Sequence, residues 1–282
     1  MNLSAATLAE VPAAIPAPRT RGQVEVGIVH FGPGAFHRAH QAAYIDSLLD
    51  RDPRWGIAAV SMRSRGTVDA LARQDGLYTL AIRDAVPSFR VIGAHRRFLS
   101  PDEAAQTRAL LVDPAVGLVT TTVTEKGYCL APDGTLDLGH GDIVHDLAQP
   151  DVPASVIGWI VAGLAARRAA GVAPFVVLPC DNLASNGAKI RAALIAFARA
   201  TDDALAEWIA QHVDVRSTMV DSITPAGDDT LTHDVAAALG ADQRRGGAAR
   251  GVHAMGDRGQ WPPTRPRSGK RRRNADARRR RL

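Results

Sequence analysis

Cysteine is scarce in this 282-residue sequence, and long apolar runs are absent. The two cysteines, Cys129 and Cys180, stand far apart and in no metal-ligand spacing, so we expect no disulfide framework and a reducing compartment. No run of about 18 apolar residues occurs, which argues against a transmembrane helix. Of the nine histidines, His37 and His40 are three apart, but no carboxylate or cysteine joins them at a fitting spacing. These absences predict a cytoplasmic protein without a metal site or a membrane partner.

Basic charge is also scarce, except at the end of the chain. Residues 241–282 hold 14 Lys and Arg against 3 Asp, whereas the other 240 residues hold 20 basic and 26 acidic side chains. The tail has no apolar periodicity, so we expect it to be disordered. One alternative function is therefore a non-catalytic nucleotide-binding or nucleic-acid-binding protein that uses this basic tail for phosphate contacts. The tail lacks interleaved aromatic residues and any recognition module, which disfavours nucleic acid as the partner.

Residues 24–240 are predicted to form one α/β domain, preceded by a flexible, Pro-rich lead-in over residues 1–23. The predicted strands are 24–31, 55–63 and 173–182, together with 116–128, which is a strand that runs into a polar loop. The predicted helices are 35–49, 67–74, 153–170, 187–200 and 202–213. Segments 77–84 and 89–99 alternate like an antiparallel pair. This order predicts a doubly wound, mostly parallel Rossmann-like sheet with a small antiparallel excursion. Ligands of such sheets bind beyond the carboxyl ends of the strands.

A glycine turn follows the first predicted strand, in the sequence "GPGAFH". Gly32 would allow the tight turn, and Gly34 would let the backbone approach a pyrophosphate. His37 stands where the usual third glycine would be, so the turn could be purely structural. The usual acidic residue after the second strand is missing, and Arg63 in that region could accommodate a 2′-phosphate. The residue types therefore leave NAD and NADP open.

Two further polar clusters follow predicted strands. Residues 124–128, "TEKGY", could form a wall of a ligand site, or they could be a solvated loop with a weak Glu–Lys pair. In "PCDNLASNG", the amide of Asn182 could donate to a carbonyl oxygen that gains negative charge on hydride attack. Helix capping would explain Asn186 but leaves Asp181 and Asn182 unexplained.

Taken in order, "GIVHFGPGAFHRAHQAAYIDSLL", "QDGLYTL", "VTEKGYCL", "PCDNLASNG" and "MVDSITPA" resemble the motifs of the mannitol dehydrogenase and fructuronate reductase family of long-chain polyol dehydrogenases. The similarity runs from Val26 to Asp229. The stretch "VSMRSRGTVDALARQDGLYTL" is more similar to the fructuronate reductase branch.

The resemblance implies a Rossmann-type domain that binds NAD, followed by a mostly helical domain with the active site between them. It also implies metal-independent hydride transfer between the nicotinamide and a ketose or keto-sugar acid. By that similarity, the cofactor turn contains Gly32, Gly34, Phe36 and His37, the cofactor cleft is lined by Glu125 and Lys126, and the reacting oxygen is bound by Asn182.

One motif of the family is missing from the 282-residue sequence. The family's general acid is a lysine in a Lys-x4-Asn-x2-His pattern, and Lys270 is followed by an asparagine one position too early and by no histidine. The helical domain that carries this pattern is therefore expected to be absent, and the chain is expected to be inactive.

A shifted reading frame would explain the unusual tail. When the codons for Val252 to Gly259 are read one base later, they permit Phe-Thr-Gln-Trp-Val-Ile-Glu-Asp, which resembles the family's segment after "VDSITPA". Met255 followed by Gly256 forces the Trp. We therefore expect a frameshift between about Thr230 and Val252.

Overall fold

The structure is a computed structural model that describes residues 3–18, 22–83, 87–219, 224 and 229–240, together with the backbone of His253–Asp257. None of the helices in this part of the chain is both long and apolar enough to cross a membrane.

The main sheet has five parallel strands in the order β5-β2-β1-β6-β7. These strands are β1 (Val26–Phe31), β2 (Gly56–Val60), β5 (His95–Leu99), β6 (Leu118–Thr121) and β7 (Val176–Pro179). The order runs in one direction from β1 to β2 and β5, and in the other from β1 to β6 and β7. This reversal between β1 and β6 is the point at which doubly wound sheets open a crevice for ligands.

A second sheet lies outside this order. In it, β3 (Tyr78–Arg83) pairs antiparallel with β4 (Ser88–Ile92) and parallel with β8 (His253–Asp257). The predicted strand 89–99 is wrong as one element, because Gly93 and Ala94 divide it. Its first half joins β3, and its second half becomes the edge strand β5 of the main sheet. The prediction of a mostly parallel sheet with a small antiparallel excursion is confirmed.

Nine α-helices surround the sheets in the described residues. They are α1 (Ala35–Ala39), α2 (Gln41–Leu49), α3 (Gly66–Ala72), α4 (Ala104–Val112), α5 (Gly141–Ala148), α6 (Val156–Ala170), α7 (Asn186–Arg199), α8 (Asp203–His212) and α9 (Asp229–Ala238). The predicted helix 35–49 is two helices, because His40 leaves helical geometry with φ −117° and ψ −88°.

Helix α6 shows how the local sequence sets the bounds of an element. Ser155 caps its first turn by accepting a hydrogen bond from the N–H of Gly158 at 2.9 Å. Ser155 is in turn held by the buried carboxylate of Asp146. The helix ends at Gly171, whose φ of +67° favours glycine over other residues.

Two cores cover the two faces of the main sheet, because successive side chains of a strand point to opposite faces. Val29 and Phe31 of β1 pack into the larger core, which includes the apolar side chains of α6 and α7. Ile28 packs into the second core with α2, α3 and β3.

The two ends of the chain differ from the sequence-based expectations where the structure describes them. Leu3 is buried with Leu77 and Val91, and the N–H of Val91 donates to Pro16 O at 2.8 Å. Residues 3–18 are therefore packed and not a flexible lead-in. In the tail, β8 is a strand that the prediction of disorder over 241–282 did not include. The rest of that tail lies outside the described residues.

Candidate functional site

Three segments meet at the carboxyl ends of neighbouring parallel strands. They are the glycine turn after β1 (residues 32–34), the β6 loop (residues 122–128) and the β7 loop (residues 180–186). A fourth segment, with Arg63, follows β2. Since these strands are neighbours in a parallel sheet, the predicted site segments share one edge, at the reversal of strand order.

The glycine turn requires glycine at its first position. Gly32 has φ +88°, and a Cβ there would overlap the carbonyl oxygen of Thr122. Its N–H donates to Val60 O at 3.0 Å, and its own oxygen accepts from the N–H of Gly34 at 2.6 Å. The turn is therefore held between the ends of β2 and β6.

Gly34 and Ala35 are exposed, and a Cβ at Gly34 would approach only Gly32 O, at 3.9 Å. The backbone at Gly34 is therefore open to approach from outside, as a close-lying ligand needs. Phe36 is half-buried, and its ring stacks on His40 with centroids 5.0 Å apart.

Behind the turn lie three fully buried histidines, His30, His37 and His95, which we call the histidine cluster. His30 and His37 stack with ring centroids 3.4 Å apart, and Nε2 of His37 lies 3.0 Å from Nε2 of His95. Burial lowers the pKa of His30 and of His95 to about 3, and it also lowers the pKa of His37. The cluster is therefore uncharged at neutral pH.

His30 connects this cluster to the glycine turn. Its Nδ1 lies 2.6 Å from Thr120 Oγ1, and its Nε2 lies 2.9 Å from Thr122 Oγ1 and 3.2 Å from Gly32 O. The hydroxyl of Thr122 also donates to Gly32 O, at 2.6 Å. The carbonyl of Gly32 is thus fixed from β1 and from the β6 loop.

His37 lies in the predicted turn region, but its imidazole faces the protein interior. Since the whole residue, backbone and side chain, has no exposed surface, His37 supports the turn from the interior and presents no surface to a ligand in this arrangement. His30 was not singled out from the sequence, because its partners Thr120 and Thr122 are 90 and 92 residues away along the chain.

Arg63 is exposed, and its guanidinium donates to Asp142 at 2.8 Å. Such exposed pairs contribute little free energy, so the side chain can leave Asp142 at small cost. Asp142 also lies near Cys129 and His140, and these three are the group of possible metal ligands found in the described part of the chain. Burial raises the pKa of the Cys129 thiol to about 11, which disfavours the thiolate that binds metals.

Glu125 and Lys126 are exposed on a short 3-10 helix, Glu125–Tyr128, within the β6 loop. The helix is anchored by Tyr128, which is fully buried. The structure thus brings both predicted residues to the edge of the sheet where the glycine turn lies, with their side chains in solvent.

Asn182 is exposed in the β7 loop, and Asp181 beside it is half-buried. The carboxylate of Asp181 accepts a hydrogen bond from the Tyr128 hydroxyl. Burial raises the pKa of Asp181 to about 6, although hydrogen bonds from Tyr128, the Val123 N–H and Thr121 act in the opposite direction. The sequence did not predict the contact of Asp181 with Tyr128, and its signal for Asp181 was weak: Asp181 was one of two residues, with Asn182, that helix capping did not explain.

Asn186 holds the β7 loop together and does more than cap a helix. Its side-chain N–H groups lie within hydrogen-bond distance of Pro179 O, Asp181 O and Thr218 O. Its Oδ1 accepts from the N–H groups of Gly187 and Thr218. The loop that carries Asn182 is therefore fixed to the end of β7 and to residue 218.

Comparison with known proteins agrees with this geometry. The mannitol dehydrogenase Rossmann domain family matches residues 26–240. D-mannonate oxidoreductase of Escherichia coli (strain K12) is 40% identical over 226 residues, which are 77% of this chain and 46% of that protein. The polyol:NADP oxidoreductase of Gluconobacter oxydans (strain 621H) is 38% identical over 247 residues, 84% of this chain and 50% of that protein.

A solved structure gives the same result for the fold. Pseudomonas fluorescens mannitol 2-dehydrogenase, in a ternary complex with NAD and D-mannitol, superimposes with a TM-score of 0.83 at 37% identity. The match covers 90% of this chain and 53% of that one. The chain thus spans about half the length of these relatives. It belongs to the mannitol dehydrogenase family and has the fold of that family's Rossmann domain.

Proposed function

We propose that residues 24–240 are the NAD-binding part of an oxidoreductase that interconverts a keto-sugar acid or ketose and its polyol. The observation that carries this proposal is the glycine turn at the reversal of strand order, within a domain matched by the mannitol dehydrogenase family. The NAD complex of a structural neighbour with the same fold supports the choice of cofactor.

The residues of the turn fit a dinucleotide. Gly32 keeps the turn tight against Thr122, while the exposed backbone at Gly34 leaves room for a pyrophosphate. Glu125 and Lys126 would border the bound nucleotide from the β6 loop, and Arg63 would lie towards the ribose from the end of β2. NAD, when bound, would supply or accept the hydride.

Asn182 is proposed to bind the reacting oxygen of the substrate. An exposed side-chain amide on a loop held by Asn186 can donate to an oxygen that becomes negative during hydride transfer. Among substrates, we favour fructuronate and mannonate, since the motif around residues 60–80 is more similar to that branch and D-mannonate oxidoreductase is among the relatives.

Turnover by the 282 residues alone is expected to be small or absent. General acids and bases contribute about 10²- to 10⁴-fold to rate, and the Lys-x4-Asn-x2-His pattern does not occur in this sequence. We also propose that the tail is read in a shifted frame. Sequencing the gene across the codons for residues 228–282 tests this directly, because another frame should encode Phe-Thr-Gln-Trp-Val-Ile-Glu-Asp and then the lysine pattern.

Titration calorimetry with NAD⁺ and NADP⁺ tests the binding proposal, and Gly34→Glu provides a sharp variant. A Cβ at Gly34 meets only Gly32 O within 4 Å, so the variant should fold, while its carboxylate would repel a pyrophosphate. We expect at least tenfold weaker NAD⁺ binding.

The matched control is Gly22→Glu, which adds the same charge where a Cβ meets nothing within 4 Å, before β1 and at the opposite edge of the sheet. Equal affinities in wild type and both variants would contradict the proposed site. Fructuronate-dependent oxidation of NADH by the purified chain would contradict the expected lack of turnover.

A further inference from the structure

A half-buried side-chain contact joins the β6 loop and the β7 loop. The Tyr128 hydroxyl lies 2.5 Å from Thr121 Oγ1 and donates to the Asp181 carboxylate, 53 positions along the chain. Tyr128 ends the short helix that carries Glu125 and Lys126. The contact therefore connects the helix that carries the proposed cofactor residues to the loop that carries Asn182.

The backbone around this contact is paired on both sides. Cys180 donates its N–H to Thr121 O at 2.9 Å, which continues the pairing of β7 with β6. Asp181 O accepts from the N–H of Leu183 at 2.8 Å. Movement of Asp181 would therefore be transmitted to the backbone next to Asn182.

The groups that face the Asp181 carboxylate leave its charge only partly compensated. They are Tyr128, Thr121 and the Val123 N–H from the β6 side, with the Cys180 thiol on its own loop. Burial raises the pKa of Cys180 to about 12, and burial also raises that of Tyr128, so both groups stay neutral and neither adds a second negative charge; a thiol and a phenol cannot supply a positive counter-charge. No cation is among these neighbours in the described residues.

We propose that Tyr128 and Asp181 are positioning residues, and that the protonation of Asp181 sets how firmly the β6 and β7 loops are held together. The proposal rests on the proposed function, because it assigns these loops to the cofactor and the substrate. In the closed arrangement, in which the Tyr128 hydroxyl contacts the Asp181 carboxyl group as in the structure, burial favours neutral over ionised Asp181. Ionised Asp181 is poorly solvated there, and the Tyr128 hydroxyl is the first of the three donors, with the Val123 N–H and Thr121, that stabilise it.

The direction of the pH effect follows from this arrangement. The pKa of Asp181 is about 6 when the two loops are closed, and we expect it to be near its ordinary value when they are open. Asp181 therefore binds a proton more readily in the closed state. Closing is therefore favoured as the pH falls, by about tenfold between pH 7 and pH 5. Opening is favoured as the pH rises through 6.

Hydrogen exchange of the full chain between pH 5 and pH 8 measures loop opening without any ligand, after correction for the intrinsic exchange rate. In the wild type, amides in segments 122–130 and 180–187 should lose about tenfold protection from pH 5 to pH 7. Asp181→Asn keeps an acceptor for the Tyr128 hydroxyl but cannot ionise, so its protection in both segments should be independent of pH.

Tyr128→Phe removes the donor and should move the midpoint above that of the wild type, with about tenfold less protection in both segments at pH 7. Tyr78→Phe is the matched control. Tyr78 is also fully buried, and its hydroxyl donates to Arg38 O, at 2.5 Å, outside these loops. This control should leave both segments as in the wild type.

Calorimetry with NAD⁺ distinguishes a failure of the proposed NAD-binding function from a failure of the proposed positioning role of Tyr128 and Asp181. If the wild type binds NAD⁺, Tyr128→Phe should weaken binding several-fold at pH 7, while Tyr78→Phe should not. If the wild type does not bind NAD⁺, the proposed function fails, and the exchange data still decide whether the two loops are coupled. A pH dependence that persists in Asp181→Asn, or loops that open independently of each other, would overturn the positioning role.

Discussion

The histidine cluster and the Tyr128–Asp181 pair both lie at the carboxyl edge of the sheet, but they titrate in different pH ranges. The three histidines are fully buried, whereas the pair combines a buried tyrosine with a half-buried carboxyl group. The imidazoles stay uncharged at neutral pH because burial lowers the pKa of His30 and His95 to about 3. Asp181, whose pKa is raised to about 6, changes charge close to neutral pH. The glycine turn therefore keeps the same charge behind it when the pH changes slightly around 7. The contact between the β6 and β7 loops does not, because Asp181 gains or loses its charge in that range.

The largest expected effect is loss of stability in acid, driven by the histidine cluster. The unfolded chain binds protons at the ordinary histidine pKa, so the stabilising contribution is present above that value and is lost as the pH falls below it. From pH 7 to pH 5, His30 and His95 should each remove about 2 kcal/mol from the free energy of unfolding. Asp46 and Asp181, whose pKa values are raised, offset part of this loss.

Urea unfolding at several pH values measures this effect. A free energy of unfolding that stays constant between pH 7 and pH 5 would show that the cluster is protonated, or solvated, in the folded protein. The contrast between the histidine cluster and the Tyr128–Asp181 pair in their response to pH would then be lost.

Gly32→Ala should have the next largest effect. The substitution places a side chain at φ +88° and against the Thr122 carbonyl, so about 3 kcal/mol of stability should be lost through strain and the displaced strand end. Gly34→Ala is the control, since the space there is open, and it should change stability by less than about 1 kcal/mol. Thermal unfolding of both variants checks the prediction, and similar losses in the two would contradict the special role of Gly32.

Arg63→Ala should have the smallest effect on stability, within about 0.5 kcal/mol, because its pair with Asp142 is exposed. Its effect on ligand choice should be larger. If Arg63 reaches the ribose, the variant should lose NADP⁺ affinity several-fold more than NAD⁺ affinity, because only NADP⁺ carries the 2′-phosphate. Calorimetry with both nucleotides measures the ratio, and an unchanged ratio would exclude Arg63 from the cofactor site.

The sequence predicted the features that depend on neighbours along the chain. Apolar runs ending in glycine or polar residues located β1, β6 and β7, and the spacing of Gly32 and Gly34 located the turn. It did not predict the division of 89–99, because both halves are strand-like and pair with different sheets. It also did not reveal the contacts of His37 with His95 or of Tyr128 with Asp181, which join residues 58 and 53 positions apart.

The pairing of β8 with β3 has a consequence for how the chain behaves in concentrated solution. With β4 on one side and β8 on the other, the backbone of β3 has a partner along both edges. A chain shortened before residue 253 would leave one edge of β3 with unsatisfied backbone groups, next to side chains that are mostly apolar. Exposed edges of this kind template pairing between molecules, so such a chain should self-associate more readily than the 282-residue protein.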